Sequence, residues 1–148
     1  MFTKSSPSWL KTAIFYEIYP QSFYDTNADG IGDLPGIQAK LPFIQSLGCN
    51  AIWIHPCFLS PFHDAGYDVA DFCRIAPRYG TNADMKRLIE AAHKLDIKVC
   101  LDLVAGHTSI EHAWFKASCS TEPNALSNRY IWTQSWVADS DGMPSIHG

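Results

Sequence analysis

The sequence lacks a cluster of lysine and arginine: 11 basic residues face 15 acidic ones, and the net charge is −4. That balance argues against nucleic acid as the main partner. It also lacks a long apolar run. Residues 1–20, MFTKSSPSWLKTAIFYEIYP, form neither a signal peptide nor a membrane helix, so no membrane partner is expected. No CxxC pair occurs among Cys49, Cys57, Cys73, Cys100 and Cys119. Odd in number and widely spaced, these cysteines read as reduced thiols of a cytoplasmic protein, with Cys49 and Cys100 expected inside. Charged residues reach only 18 % while hydrophobic ones make up 47 % of 148 residues. The chain is therefore globular and long enough for one domain with a core. Aromatic residues are plentiful, at 13 % with five Trp and six Tyr. A filled core accounts for that load, and a carbohydrate cleft is another place for flat faces with polar tips.

The apolar segments are short and regularly spaced. Residues 13–19, AIFYEIY, end at Pro20 and read as a buried strand. Residues 34–48 place Ile37, Leu41, Ile44 and Leu47 at helical spacing, with Asp33 to cap the start and Gly48 to end it. Pro42 inside that run predicts a kinked or late-starting helix. Residues 50–56 read as a second strand, residues 57–80 as a long loop, and residues 81–95 as a second helix. Met85, Leu88, Ile89 and Ala92 share one face of that helix, and Thr81 and Asp84 stand in capping-box spacing. Residues 97–104 make a third strand, and the remainder shows no clear periodicity. Continuous apolar strands alternating with amphipathic helices predict an α/β fold with a parallel sheet covered on both faces. Chemistry in such sheets sits at the strands' carboxyl ends, where Tyr19-Pro20-Gln21, His55-Pro56 and residues 102–107 fall. No glycine-rich phosphate loop follows the first strand, which weakens a nucleotide-binding reading.

Residues 25–36, DTNADGIGDLPG, look like a calcium loop, with oxygen ligands at Asp25, Asn27, Asp29 and Asp33. A sensor loop carries Glu at its twelfth position, and here that position is Gly36. A strand rather than a helix precedes the loop, which also argues against a sensor. A static metal site and an Asx-rich turn held by its own side chains both remain open. His55, His63, His93 and His112 have no metal-ligand spacing. His63 and His112 read as surface loop residues and His93 as a helix residue.

Four segments in order, IFYEIYPQSF with DTNADGIGDLPGI, GCNAIWIHPCFLSPFHDAGYDVADF and RYGTNADMKRLIEAAHKLDIKVCLDLVAGHTSIEHAWF, resemble the start of the α-amylase superfamily, glycoside hydrolase family 13. The similarity spans roughly residues 12–136 and is greatest to α-glucosidase, oligo-1,6-glucosidase and trehalose-synthase-like members. The resemblance implies the first three β/α units of a (β/α)8 TIM barrel and the start of a small domain inserted after the third strand. Residues 1–106 would belong to the barrel and residues 107–148 to the insertion. Such barrels run to about 250 residues or more, so the chain reads as a piece of a larger protein, with the rest of the barrel or an oligomeric partner needed.

The implied activity is retaining hydrolysis or glucosyl transfer at the α-glucosidic bond of an α-glucoside or oligosaccharide. Retention needs two carboxyl groups about 5–5.5 Å apart. In the family these follow the fourth and fifth strands, so no catalytic nucleophile or general acid is assigned in this chain, which alone is expected to be inactive. The resemblance does supply pocket residues. Asp64 and Tyr67 in HDAGYDV correspond to a sugar-hydroxyl acceptor and a ring-stacking aromatic. Asp102 and His107 in DLVAGHTS match the family's DxxxNH region. Gly106 stands where the family usually has Asn, so the calcium site that Asn serves in classical α-amylases is not expected. The loop at 25–36 resembles a second, structural metal site of the α-glucosidase branch, with side-chain oxygens of Asp25, Asn27, Asp29 and Asp33 and the Ile31 carbonyl around Ca2+. Mg2+ also fits if waters complete an octahedron. SNRYIWTQSW resembles the entry to the inserted domain. An inactive carbohydrate-binding, metal-binding or assembly module is the alternative function.

Overall fold

A computed structural model describes residues 6–132 together with the short strands Val137–Ala138 and Pro144–Ser145. Three parallel strands form the central sheet: β1 (Phe15–Ile18), β2 (Ala51–Ile54) and β5 (Lys98–Leu101), in the order β1-β2-β5. Helix α1 (Leu34–Ser46) connects β1 to β2, and α2 (Asn82–Lys94) leads into β5. Between β2 and α2, β3 (Phe58–Leu59) pairs antiparallel with β4 (Asp71–Ile75). A short helix α3 (Ala113–Ser118) follows β5, and β6 (Val137–Ala138) pairs with β7 (Pro144–Ser145). This is the βαβαβ order of partial (β/α) units.

Strand parity sorts the side chains. Ile18, Ile52 and Ile54 pack with Leu34, Ile37, Leu41 and Ile44 of α1 and with Met85, Leu88 and Ala92 of α2, all buried in one core. The opposite parity carries Phe15 and Trp53, 40 % and 42 % exposed. Among the described residues, helices therefore cover one face of the sheet, where cover on both faces was expected. In a barrel the other face looks inward, which accounts for apolar strands without a second helical layer.

Helix α1 runs unbroken through Pro42. Proline costs about 3 kcal/mol inside a helix, and here the buried Leu41 and Ile44 on either side of it oppose that cost. Asp33 caps α1 by accepting from the Gly36 N–H at 2.7 Å. At α2, Thr81 and Asp84 form the expected capping box. Two other expectations need correction. Cys49 and Cys100 are half-buried, and the buried thiol is Cys57. Cys100 pairs in register with Trp53 on the open face, which is why its apolar strand does not bury it. The thiol of Cys57 is pushed up to about 12 by burial.

Candidate functional site

The parallel register puts Glu17, Trp53 and Cys100 in one layer of the open face. The ladder continues one residue further, because the His55 N–H donates to Ile18 O at 2.9 Å and the Asp102 N–H to Ile54 O at 3.0 Å. His55 and Asp102 therefore emerge together at the carboxyl ends of β2 and β5. The Tyr19 ring lies against His55, with centroids 5.7 Å apart.

The β3–β4 loop delivers Tyr67 to these ends. Its turn needs Gly66 at φ +101°, a left-handed conformation that glycine adopts without steric cost. The loop is clamped from inside: Ser60 Oγ donates to Asp68 Oδ1 at 2.6 Å and the His63 N–H to Asp68 Oδ2 at 2.9 Å. These contacts hold the Asp68 carboxyl below its ordinary value, against the opposing effect of burial. The Tyr67 N–H donates to Asp64 O at 2.8 Å, and the Ser109 N–H ties the loop to Val69 O at 2.9 Å.

Four polar side chains meet there. The Tyr67 hydroxyl donates to Asp102 Oδ2 at 2.9 Å and lies 3.2 Å from His55 Nδ1. His55 Nε2 is 2.7 Å from Glu17 Oε1. Burial, then the Asp102 carboxylate, pushes the Tyr67 hydroxyl up to about 12, so it remains a proton donor at neutral pH. His107 Nε2 donates to Tyr67 O at 3.1 Å. A carbonyl only accepts, so in this arrangement Nε2 carries the proton and a neutral imidazole keeps Nδ1 as an acceptor. Asp64 is exposed, and its charge contributes to the rise at Tyr67. The fold thus gathers Tyr67, Asp102 and His107 by direct hydrogen bonds and sets Asp64 on the same loop.

Beside the cluster lies a groove of about 500 Å3 lined by His107, Phe72, Trp114, Arg129 and Tyr130. Arg129 stacks over Trp114 at 4.3 Å. His112, expected at the surface, is buried here. Its Nδ1 accepts from the Trp114 N–H at 3.0 Å and caps α3, and burial lowers its pKa. A six-residue helix leaves too little periodicity for its cap to be recognised.

The loop at 25–36 is organised by its own acids. Asp25 Oδ1 accepts from the Asn27 and Ala28 N–H groups at 3.0 and 2.8 Å, and Oδ2 from the Gly30 N–H at 2.8 Å. The Gly30 contact is the largest of the effects that hold the Asp25 carboxyl below its ordinary value. Asn27 Oδ1 accepts from the Asp29 N–H, and Asp29 Oδ1 from the Ile31 N–H. Asp33 Oδ2 accepts from both the N–H and the hydroxyl of Thr26, at 3.0 and 2.7 Å. The Asx-rich turn is therefore built, and among the described residues no group of three or more His, Cys, Asp or Glu side chains converges as a metal cage. A carboxylate offers about four lone-pair positions, so Asp25, Asp29 and Asp33 each retain at least one for a hard cation.

Sequence reasoning noted the positions of Tyr19 and His55 but gave them no role, and it passed over Glu17 and Asp68. Strand parity carried the signal for the first three, since Glu17 and Tyr19 share alternation with Phe15, and His55 with Trp53.

The profile of the alpha amylase catalytic domain matches residues 17–147. The chain belongs to the alpha-amylase family. It is 51 % identical over 136 residues to an oligo-1,6-glucosidase of Heyndrickxia coagulans and 49 % identical to a probable alpha-glucosidase of Rhizobium meliloti; each match covers 92 % of this chain and 24 % of the relative. It also matches the crystal structure of Bacillus licheniformis trehalose-6-phosphate hydrolase with a TM-score of 0.83 and 46 % identity, over 93 % of this chain and 24 % of that one. A trehalulose synthase mutant gives 0.82 and 43 %, over 84 % of this chain and 22 % of that chain. The chain spans about a quarter of the length of these proteins. The fold is the N-terminal part of a (β/α)8 barrel, built of partial (β/α) units. Among the described residues, no helix is long and apolar enough to cross a membrane.

Proposed function

We propose that the chain supplies the glucose-recognition part of a retaining hydrolase or transglucosidase acting on α-glucosides or oligosaccharides. The observation that carries this is the convergence of Tyr67, Asp102 and His107 at the carboxyl ends of parallel strands. Asp64 accepts hydrogen bonds from sugar hydroxyls, for which an ionised carboxylate is the stronger acceptor. Tyr67 offers its ring to the apolar C–H face of the pyranose, its hydroxyl being anchored on Asp102. His107 hydrogen-bonds a sugar hydroxyl and supports the charge that develops as the bond breaks. Asp102 orders these groups. None of these carboxylates is assigned as nucleophile or general acid, and the pair comes from elsewhere in the enzyme. Residues 1–106 belong to the barrel and residues 107–148 begin the inserted domain. The partner is then the rest of the barrel or an oligomeric neighbour, and the reduced thiols fit a cytoplasmic setting.

The loop at 25–36 would hold a structural Ca2+, or Mg2+ with added waters, through Asp25, Asn27, Asp29, Asp33 and the Ile31 carbonyl. The donors are all hard oxygens and the carboxylates keep free lone pairs, so the residues fit such an ion. Bound there, the ion would neutralise clustered negative charge. The residues themselves hold the β1–α1 connection beside the site.

An assembly module without activity is the second reading. It is favoured by the exposed apolar residues Phe15 and Trp53 on the open sheet face and Leu103 beyond β5, the last 79 % exposed. Incubation of the purified chain with p-nitrophenyl α-glucoside tests the assignment of the catalytic pair. No turnover is expected, and clear turnover would place that pair within these 148 residues and overturn the assignment. For the metal, millimolar calcium should raise the melting temperature; an unchanged value leaves the self-bonded turn as the whole account.

A further inference from the structure

Glu17, His55, Tyr67 and Asp102 form one continuous chain of hydrogen bonds, and its protons can be counted. The chain has three links: Glu17 to His55 at 2.7 Å, His55 to Tyr67 at 3.2 Å, and Tyr67 to Asp102 at 2.9 Å. Both ends are carboxylates, which only accept when ionised. Tyr67 has a single hydroxyl proton, and in donating it to Asp102 its oxygen becomes the acceptor for His55. Three links then need three protons, one from Tyr67 and two from the ring of His55.

We infer that His55 is a positioning residue: donating from both ring nitrogens, it locks Glu17 on one side and on the other turns the Tyr67 hydroxyl so that its proton is held on Asp102. With one ring proton the chain is one short. Either a link opens, or Tyr67 rotates its proton onto His55 Nδ1 and leaves Asp102 without its donor. The charge on His55 therefore sets how a residue of the sugar site is oriented. Tyr19 from the β1 end also faces the ring, and the charge of Asp64 on the Tyr67 loop acts on the Tyr67 hydroxyl. The uncharged Trp53 precedes His55 by two on β2. The consequence for sugar recognition rests on the reading of Tyr67 and Asp102 as pocket residues, whereas the proton order does not.

The test is a pH series from about 5.5 to 8.5, the range over which imidazoles change charge, on the full chain with 15N-labelled histidine and ring-13C tyrosine. At the acid end both His55 ring nitrogens should carry protons, with a through-space contact between the Nδ1 proton and the Tyr67 ring. As the second proton leaves, the Tyr67 Cζ signal should shift with the same midpoint. His55→Gln should abolish that shift, and Glu17→Gln, a change at an exposed side chain, should move the midpoint for both residues together. An unprotonated Nδ1 at the acid end, a flat Tyr67 signal in the wild-type series, or a Tyr67 shift surviving in His55→Gln would each overturn the inference. Glucose added at both pH extremes separates the two readings. A linked His55–Tyr67 titration without any glucose response would keep the proton order and remove the pocket assignment.

Discussion

Asp33 is the residue whose replacement tests the local architecture most sharply, because one buried carboxylate serves two elements. Its Oδ1 caps α1 through Gly36 at 2.7 Å, and its Oδ2 receives the Thr26 N–H and hydroxyl at 3.0 and 2.7 Å. Loss of an N-cap costs about 1 kcal/mol. Each hydrogen bond to a charged acceptor contributes about 1.5–3 kcal/mol when well buried, and these Thr26 bonds are only partly buried, so the lower end applies. Asp33→Ala should therefore lose about 4 kcal/mol from a total on the order of 5–15. At about 2–4 °C per kcal/mol for a chain of this size, the melting temperature should fall by several degrees to more than ten. Asp33→Asn keeps an oxygen for Gly36 but turns an NH2 group toward Thr26, so its loss should be intermediate. Thermal and urea melts followed by circular dichroism without added metal read both variants. A drop of less than about 2 °C for Asp33→Ala, or equal losses for the two variants, would refute the division of labour between the two oxygens.

Three further outcomes are expected. Thr81→Ala removes the capping-box acceptor and should cost about 1 kcal/mol; the Thr81 side chain is also the largest effect holding the Asp84 carboxyl below its ordinary value, with its backbone N–H and Arg87 adding to it. That contribution of Asp84 is present above the unfolded carboxyl value and is lost as pH falls through the lower folded one, so the melting gap between wild type and Thr81→Ala should narrow on acidification. A β-carbon at Gly32 would lie 2.1 Å from Pro20 O, whereas one at Gly106 meets nothing within 4 Å; Gly32→Ala should be strongly destabilising and Gly106→Asn close to neutral in the same melts. Cys57 is buried with its thiol pushed up to about 12, while Cys73 and Cys119 are exposed; mass-mapped alkylation of the native chain should label the exposed pair first, and early labelling of Cys57 would contradict the packing.

The parallel βαβαβ order was legible because each strand is a short apolar run and each helix carries its own cap, Asp33 for α1 and Thr81 with Asp84 for α2. The β3–β4 pair was not, since a two-residue strand and an irregular register between Phe58 and Leu59 leave no alternation to read. At Pro42 the helix does not start late, because the local helix penalty was outweighed by packing that only the folded chain reveals. At the candidate site, Asp64, Tyr67, Asp102 and His107 were named through the resemblance, and the fold brings them to one end of the sheet. Glu17 and His55 stayed hidden because their meaning lies in the pairing of β1 with β2: 38 residues separate them in sequence, while 2.7 Å separates their polar atoms. The buried cap at His112 depended likewise on aromatic neighbours, Phe72 and Trp114, that sequence spacing does not join.

The central claim, that Tyr67, Asp102 and His107 make a glucose-binding surface, is tested most directly by titrating the labelled chain with glucose and following chemical shifts. At about 100 mM glucose a site worth only about 1.4 kcal/mol is half filled. Saturable shifts centred on Asp64, Tyr67, Asp102 and His107, weakened in Asp64→Ala, are expected. Shifts that never saturate, or that fall elsewhere and leave these four residues still, would contradict the claim.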